Sequence, residues 1–406
     1  YTDRMAEKWK ETWKALSIQY DGFIRTTSIK HLSMVHDFFM KVYEKGDIYK
    51  GNYTGLYCDA CEGFFLEKDL VLGKCPYHNL VRKTISEENY FFSLSKYQQQ
   101  IIDHIEKNPK FIQPASRRNE VLSFLKTEGA KDISISRPIT EWGIPLPIDA
   151  QHTFWVWFDA LLNYISGAPQ EWPASLHLLG KDILRFHCVL WPCMLMSAGY
   201  ALPERFFVHG FVTVNGQKMS KSLGNAIDPI IISQKYGVDA LRYFLMREIP
   251  FGGDGDFNEE ALRARLNNEL ANDLGNLLSR VLALVEKSGG TIPKGTVDGE
   301  VVEKLNVDVI EKHMEKYELH LALKEIWVFV NEMNKYINDN KPWELTGKKK
   351  DNVLYNALDA LRIIAILISS FMPATAESIN EQLNIPTGNL SDVEFGLLES
   401  GRKINK

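Results

Sequence analysis

The pattern of apolar and polar positions at the start of the chain has a helical period. Within residues 1–19 the apolar positions fall on one stripe with Lys and Glu between them, and they are Met5, Trp9, Trp13 and Leu16. This spacing predicts an amphipathic helix. Ser28 can cap a second helix that runs to about Lys45, where Gly46 can end it.

Short apolar runs of the kind found in buried strands follow in the middle of the chain. They are residues 152–158, 176–180 and 205–214, and the last run meets the hairpin turn Asn215-Gly216. The pattern of residues 48–80 also predicts strands and turns, whereas the pattern of residues 88–108 predicts a helix. Strands separated by helical patterns predict a parallel α/β sheet.

The pattern changes near residue 250, where 250–256 is a run of turn formers. Helical periods then cover 258–287, 301–317, 318–339 and 351–372, with breaker segments at 288–299 and 341–350. This half of the chain therefore predicts a helical bundle.

Composition agrees with a folded protein of two or three domains. The chain has 406 residues, 45% hydrophobic and 24% charged, with a net charge of -5. No uncharged apolar run reaches the length of a membrane span, and residues 1–19 lack the apolar core of a signal peptide. The first residue is Tyr1, so the sequence does not begin at an initiator methionine. Five cysteines without a secretion signal indicate a reducing compartment, and Cys188 and Cys193 are expected to be buried small hydrophobes.

A cluster of soft metal ligands lies between residues 58 and 78. Two pairs at two-residue spacing are separated by thirteen residues, and they are Cys58 with Cys61, and Cys75 with His78. Each pair can converge from one tight turn, so the four predict a structural, tetrahedral zinc site without an open position. Free thiols beside a surface histidine are the alternative, and a disulfide is disfavoured.

A short cationic loop follows the third strand. Residues 216–225 place Lys218 and Lys221 three apart among Ser and Gly residues. Two lysines on such a loop can follow charge that moves onto a leaving pyrophosphate. An exposed polar loop is the alternative on composition alone.

This loop also carries a family resemblance. The string Lys218-Met219-Ser220-Lys221-Ser222, after a strand with His209-Gly210, is similar to the second signature of class I aminoacyl-tRNA synthetases. Further stretches resemble the methionyl-tRNA synthetase family, and they are 155–160, 180–183, Phe186-His187, Trp191-Pro192, and 273–276 with Arg280. The resemblance covers about residues 15–385, and the three-Cys, one-His cluster resembles the single-knuckle bacterial or organellar form.

The resemblance implies an α/β plus all-α architecture. It consists of a partial class I Rossmann-type catalytic domain with a zinc-knuckle connective insertion, followed by a helical anticodon-binding bundle. The implied boundaries are 1–27 for the end of the first Rossmann half, 28–130 for the connective peptide, 131–225 for the second half with the lysine loop, 226–260 for a stem-contact linker, 261–388 for the anticodon-binding domain and 389–406 for the tail.

It also implies a methionine-binding pocket. The residues that match the family's pocket are Trp157, Tyr164, Ile183, Phe186 and His187. Stacked rings with one polar tip suit an apolar, polarizable thioether. Core packing is the alternative, and it is preferred for Trp155. Leu161 stands where the family often has Pro, which puts the pocket's shape in question.

The resemblance assigns ATP, as its Mg²⁺ complex, to a further set of residues. The ATP-binding positions are Gly180, Asp182, His209, Gly210, Val212, Met219 and Lys221, and the catalytic ones are Lys218, Ser220 and Lys221. A carboxylate can accept hydrogen bonds from both ribose hydroxyls, and a glycine permits close backbone approach. Arg137 matches a family arginine near the substrates.

The helical half would then bind the anticodon. Asn276 and Arg280 lie on one helix face, and Trp343 follows a helix end where an exposed indole can stack on an unpaired base. A tryptophan that plugs the end of the bundle is the alternative. The run 348–350 of three lysines is expected to be solvated and able to touch phosphates.

The sequence departs from the family in one respect, since the His-x-Gly-His signature is absent from the 406 residues. We therefore expect either a piece of a longer polypeptide or a split enzyme that needs the missing N-terminal segment or subunit. The expected function is methionine–tRNA ligation with tRNA(Met), ATP and L-methionine, in the cytoplasm or an organellar matrix. A non-catalytic, zinc-containing tRNA-binding module is the alternative, and a ligase for another apolar amino acid is disfavoured by the pocket aromatics.

Overall fold

The computed structural model describes residues 1–58, 63–65, 74, 83–138, 142–219 and 224–405. These residues form two compact units, one of Tyr20–His209 and one of Tyr1–Gln19 together with Gly210–Lys406. Among the described residues, none of the helices combines the length and apolar character needed to cross a membrane.

The α-helices, in chain order, are α1 (Thr2–Ala15), α2 (Ile29–Glu44), α3 (Gln98–Lys107), α4 (Ala115–Thr127), α5 (Val156–Ala160), α6 (Asn163–Gly167), α7 (Trp191–Ala198), α8 (Pro229–Tyr236), α9 (Val238–Glu248), α10 (Glu259–Arg265), α11 (Asn276–Lys287), α12 (Gly299–Glu303), α13 (Val307–Glu315), α14 (Leu319–Asn340), α15 (Gly347–Ile368) and α16 (Pro373–Leu383). The strands are β1 (Ile48–Cys58), β2 (Gly63–Phe65), β3 (Lys83–Phe92), β4 (Ile112–Gln113), β5 (Ile133–Ser134), β6 (Ser136–Pro138), β7 (Pro145–Leu146), β8 (Asp149–Phe154), β9 (His177–Gly180), β10 (Phe206–His209), β11 (Val212–Val214), β12 (Gln217–Lys218) and β13 (Gly255–Phe257).

The first helices agree with the sequence pattern. α1 covers the predicted amphipathic segment. α2 begins after Ser28, whose side chain accepts a hydrogen bond from the His31 backbone N–H, and Gly46 follows its end at a φ of +80°. The helix prediction for residues 88–108 is wrong over its first part, because 83–92 is the strand β3. β3 pairs antiparallel with β1 over ten register positions, and this long-range pairing overrides the local helical pattern.

A short parallel sheet of order β4-β10-β9 occupies the unit of Tyr20–His209 and confirms the predicted parallel arrangement. Two strand predictions need correction. The apolar run 152–158 is a strand only to Phe154, after which α5 begins. The run 205–214 is two strands that lie in different sheets.

The reason for the first error is visible in the burial. Trp155 and Phe158 are buried and three positions apart, whereas Val156 between them is 46% exposed. This is a helical period, which an unbroken apolar run in the sequence conceals. In the second case the backbone leaves the sheet of β10 after His209. A Cβ atom on Gly210 would lie 2.2 Å from the carbonyl oxygen of Gly253, so glycine is required at this point.

The other unit is mainly helical, as predicted. The predicted helix 258–287 is continuous but contains a π-helical stretch, Leu266–Gly275, between α10 and α11. α15 begins at Gly347, so the lysines of 348–350 lie in a helix and not in a breaker segment. α16 was not predicted. The core of this unit packs α11, α14, α15 and α16 around residues such as Val281, Ile337 and Leu361, all fully buried.

Candidate functional site

Three aromatic side chains in the unit of Tyr20–His209 form what we call the aromatic wall: Trp155 and Trp157, at the start of α5, and Phe186, in the π-helical turn Phe186–Leu190. The rings of Trp157 and Phe186 stack with centroids 4.1 Å apart and planes 15° from parallel. Trp155 meets the edge of Phe186 at 5.7 Å and is buried, which agrees with the core role predicted for it. Trp157 and Phe186 are only partly buried, so the stack presents ring surface rather than filling the core.

A buried histidine closes this wall at its polar end. His187 is 2% exposed, its Nδ1 lies 3.0 Å from the Ile183 carbonyl oxygen, and its Nε2 lies 2.8 Å from the Tyr164 hydroxyl. A carbonyl oxygen can only accept, so Nδ1 carries the proton and Nε2 accepts from the Tyr164 O–H. Burial lowers the pKa of His187, against the opposing effects of the Ile183 carbonyl and Asp182. Burial also raises the pKa of Tyr164 to about 12. The tip of the wall is therefore neutral, with the hydroxyl proton directed at His187.

A second histidine, His177, packs against the Tyr164 ring, and the sequence pattern did not predict this contact. His177 opens β9 and is 4% exposed. It meets the Tyr164 ring edge-on at 4.2 Å and stacks on Phe206 at 5.1 Å. Burial, and secondarily the neighbouring His187, lowers the pKa of His177 to about 4. This layer is neutral too, so the pocket end suits an apolar ligand group.

Arg137 lies against the same wall. Its guanidinium carbon is 5.6 Å from the Trp155 ring centroid, and Nη1 donates to the Ser134 hydroxyl and the Ser136 carbonyl at 3.0 and 2.6 Å. These contacts fix the orientation of the side chain on β6.

Three of the predicted nucleotide-binding residues meet at the carboxyl ends of two parallel strands. His209 at the end of β10 is the register partner of Gly180 at the end of β9. A Cβ atom on Gly180 would lie 2.7 Å from Oδ1 of Asp182 and 3.7 Å from Cε1 of His209. A side chain at position 180 would thus displace Asp182, which explains the glycine. The carboxyl edge of a parallel sheet is where α/β folds bind ligands.

The start of the lysine loop belongs to the other unit. Asn215 and Gly216 have φ values of +51° and +74°, which is the two-residue hairpin turn predicted between β11 and β12. Asp256 holds this hairpin, since its Oδ1 accepts from the Thr213 hydroxyl at 2.6 Å and from the Gly216 N–H at 2.7 Å. These hydrogen bonds, the one from Thr213 first, lower the pKa of Asp256. The sequence pattern did not single out Asp256.

The other residues predicted to bind ATP or to take part in catalysis are only partly described by the structure. Lys218 ends β12, Met219 is partly buried, and Val212 is 38% exposed. Ser220 and Lys221 lie outside the described residues.

Most of the predicted zinc ligands also lie outside the described residues. Cys58 ends β1, whereas Cys61, Cys75 and His78 lie outside the described residues. In the part of the chain that is described, no group of three His, Cys, Asp or Glu side chains is arranged to hold a metal ion.

Two of the predicted anticodon residues, Arg280 and Trp343, come together on the helical bundle. Asn276 is exposed at the first turn of α11, and Arg280 is on the next turn. The Arg280 guanidinium carbon lies 5.9 Å from the ring centroid of Trp343, which is 50% exposed beyond the end of α14. Half of the Trp343 surface is thus exposed, so this residue does not act only as a plug for the end of the bundle.

Comparison with known proteins decides the family. Residues 1–87 and 78–282 match the model of the class I (M) tRNA synthetases, and residues 303–395 match the anticodon-binding domain of tRNA ligases. The chain is 46% identical to the methionine–tRNA ligases of Caldanaerobacter subterraneus and Clostridium tetani, over 100% of its own length and 67% of theirs. The chain belongs to the methionyl-tRNA synthetase family.

A solved structure agrees with this membership. Methionyl-tRNA synthetase of Mycobacterium tuberculosis, bound by methionyl-adenylate, superposes with a TM-score of 0.93 at 37% identity. The match covers 99% of this chain and 85% of that one. The predicted class I catalytic fold with a helical anticodon-binding domain is therefore confirmed, and the function that goes with the family is methionine–tRNA ligation.

Proposed function

We propose that the pocket around Trp157 holds the methionine side chain while the chain activates methionine with ATP and passes it to tRNA(Met). The observation that supports this most directly is the neutral tip formed by Tyr164 and His187, joined at 2.8 Å beside the Trp157–Phe186 stack. A thioether carries no charge and packs well on aromatic faces. A pocket with ring walls and no ionised group at its end suits it better than it suits a charged or strongly polar side chain.

The nucleotide is proposed to lie at the carboxyl edge of β9 and β10. Asp182 can accept from the two ribose hydroxyls, and Gly180 leaves room for that carboxylate. The family resemblance is the basis for assigning His209, Gly210, Val212 and Met219 to the adenine side. Mg²⁺ would enter with ATP as part of the substrate.

The proposed function consists of two chemical steps. The methionine carboxylate attacks the α-phosphorus of ATP, a P–O bond forms, and the bond to pyrophosphate breaks. Lys218 and Lys221, with Ser220, stabilise the negative charge that moves onto pyrophosphate. A terminal adenosine hydroxyl of the tRNA then attacks the methionyl carbonyl and AMP leaves.

The helical bundle is proposed to select the tRNA through its anticodon. Asn276 and Arg280 offer donors to base edges, and the half-exposed Trp343 offers an aromatic ring for stacking. Structural Zn²⁺ would be held by Cys58, Cys61, Cys75 and His78, because three thiols and an imidazole are a donor set that zinc prefers.

The test is ATP–pyrophosphate exchange and tRNA aminoacylation by the protein, with each of the apolar amino acids. We expect exchange with methionine and a kcat/KM at least about a hundredfold lower for leucine, valine and isoleucine. Exchange that prefers another amino acid would refute the pocket assignment. tRNA binding without any exchange would favour a non-catalytic RNA-binding role.

A further inference from the structure

One polar contact at the end of the helical bundle links Arg280 to α14. Asn338 lies in the last turn of α14, and its Oδ1 accepts a hydrogen bond from Nη2 of Arg280 at 2.8 Å. The same guanidinium is 5.9 Å from the Trp343 ring centroid. Asn338 is exposed, so this bond does not serve the packing of the core.

The backbone around these residues is held firmly. α14 ends with Lys341 in the left-handed conformation, at a φ of +43°, and the Glu344 N–H donates to the Lys341 carbonyl at 2.8 Å. This turn places Trp343 directly beyond the helix. The π-helical stretch that leads into α11 is tied to α14, because the Asn334 amide donates to the Asp273 carbonyl at 3.0 Å. The backbone that carries Asn338 and Trp343 is therefore defined by a helix and a hydrogen-bonded turn, whereas Arg280 is a long side chain with many rotamers.

We propose that Asn338 is a positioning residue that holds Arg280 over the ring of the half-exposed Trp343, where both side chains can contact an unpaired base. This inference rests on the proposed anticodon-binding role of the bundle. A side chain that is already ordered loses less conformational entropy when RNA binds. The acceptor is an uncharged amide, so Arg280 keeps its full positive charge for the RNA, which a carboxylate partner would offset.

The first experiment measures the aminoacylation kinetics of the Asn338→Ala variant of the protein. We expect the KM for tRNA(Met) to rise about three- to tenfold, with kcat for aminoacylation and the rate of ATP–pyrophosphate exchange unchanged. Asn338→Gln retains the acceptor oxygen, and it should bring the KM to within about threefold of the wild-type value.

A double-mutant cycle tests whether Asn338 acts through Arg280. If it does, Asn338→Ala should change the tRNA KM less than about 1.5-fold when Arg280 is already alanine. Asn340→Ala is the matched control, because it is the same substitution in the same helical turn. The Asn340 side chain donates to the Tyr336 carbonyl of its own helix at 3.0 Å and not to Arg280. We expect a wild-type tRNA KM for this control.

Three results would overturn the inference: an unchanged KM for Asn338→Ala, an equal rise in the wild-type and Arg280→Ala backgrounds, or the same rise for Asn340→Ala. Failure of the proposed function looks different. In that case Arg280→Ala and Trp343→Ala would themselves leave the tRNA KM unchanged, whatever Asn338→Ala does.

Discussion

The hydrogen bond between Tyr164 and His187 offers a direct test of the pocket. Tyr164→Phe removes the hydroxyl and leaves Nε2 of His187, a residue only 2% exposed, without its donor at 2.8 Å. An unsatisfied buried acceptor costs about 1–3 kcal/mol. For a unit of this size each kcal/mol corresponds to roughly 2–4 °C in melting temperature, so we expect a fall of about 2–12 °C by calorimetry.

The same substitution should act selectively on one substrate. Because the hydroxyl and the imidazole form the polar tip of the proposed methionine pocket, we expect the methionine KM in ATP–pyrophosphate exchange to rise about three- to tenfold, equivalent to about 1 kcal/mol. The KM for ATP should stay the same. Tyr49→Phe is the matched control, since it removes a 2.9 Å hydrogen bond to Asp132 from a side chain that is 44% exposed.

Two results would refute the reasoning. If Tyr164→Phe lowers the melting temperature no more than Tyr49→Phe does, the buried hydrogen bond is not formed as described. If the KM values for methionine and ATP rise together, Tyr164 does not belong to a methionine-specific pocket.

Four further predictions concern other parts of the chain. Burial raises the pKa of Asp159 from 3.8 to about 7. The protonated carboxyl therefore contributes stability that is fully present below about pH 4 and is lost as the pH rises through 7. Asp159→Asn should therefore raise the urea midpoint at pH 8 and leave it nearly unchanged at pH 4; an equal gain at both would contradict the shift. Lys221→Ala should slow adenylate formation about 10²–10³-fold in single-turnover kinetics without changing methionine affinity, and an equal loss of both would count against its role. Trp343→Ala should raise the tRNA KM about 5–150-fold and spare ATP–pyrophosphate exchange; an unchanged KM would exclude stacking. Mass spectrometry of metals should find about one zinc per chain, lost in Cys61→Ser and retained in Cys188→Ala, and zinc that survives Cys61→Ser would rule out the predicted ligand set.

The sequence predicted the elements whose signals are local. Ser28 caps α2, and the Asn215-Gly216 pair forms the hairpin turn, because both depend on residues next to each other in the chain. The α/β half and the helical half were also foreseen from their periods. The strand β3 was mistaken for a helix because its pairing partner, β1, lies some forty residues earlier and leaves no local trace.

The sequence singled out the aromatic residues of the candidate site, but not the residues that pack against them or hold the hairpin. Trp157, Phe186 and His187 were reached through family motifs, and the structure brings them together. His177 and Asp256 act through a ring contact and a side-chain hydrogen bond across distant segments, which no spacing in the sequence encodes. The same holds for Asn338, which meets Arg280 only after α11 and α14 pack.

The measurement that tests the central claim most directly is methionine-dependent ATP–pyrophosphate exchange by three forms of the protein: wild type, Trp157→Ala and Trp142→Ala. Trp142 is 72% exposed and serves as the matched tryptophan control. We predict exchange that requires methionine, a methionine KM raised at least about tenfold in Trp157→Ala with the ATP KM unchanged, and wild-type values in Trp142→Ala. Exchange that does not require methionine, or a Trp157→Ala variant with the wild-type methionine KM, would contradict the account.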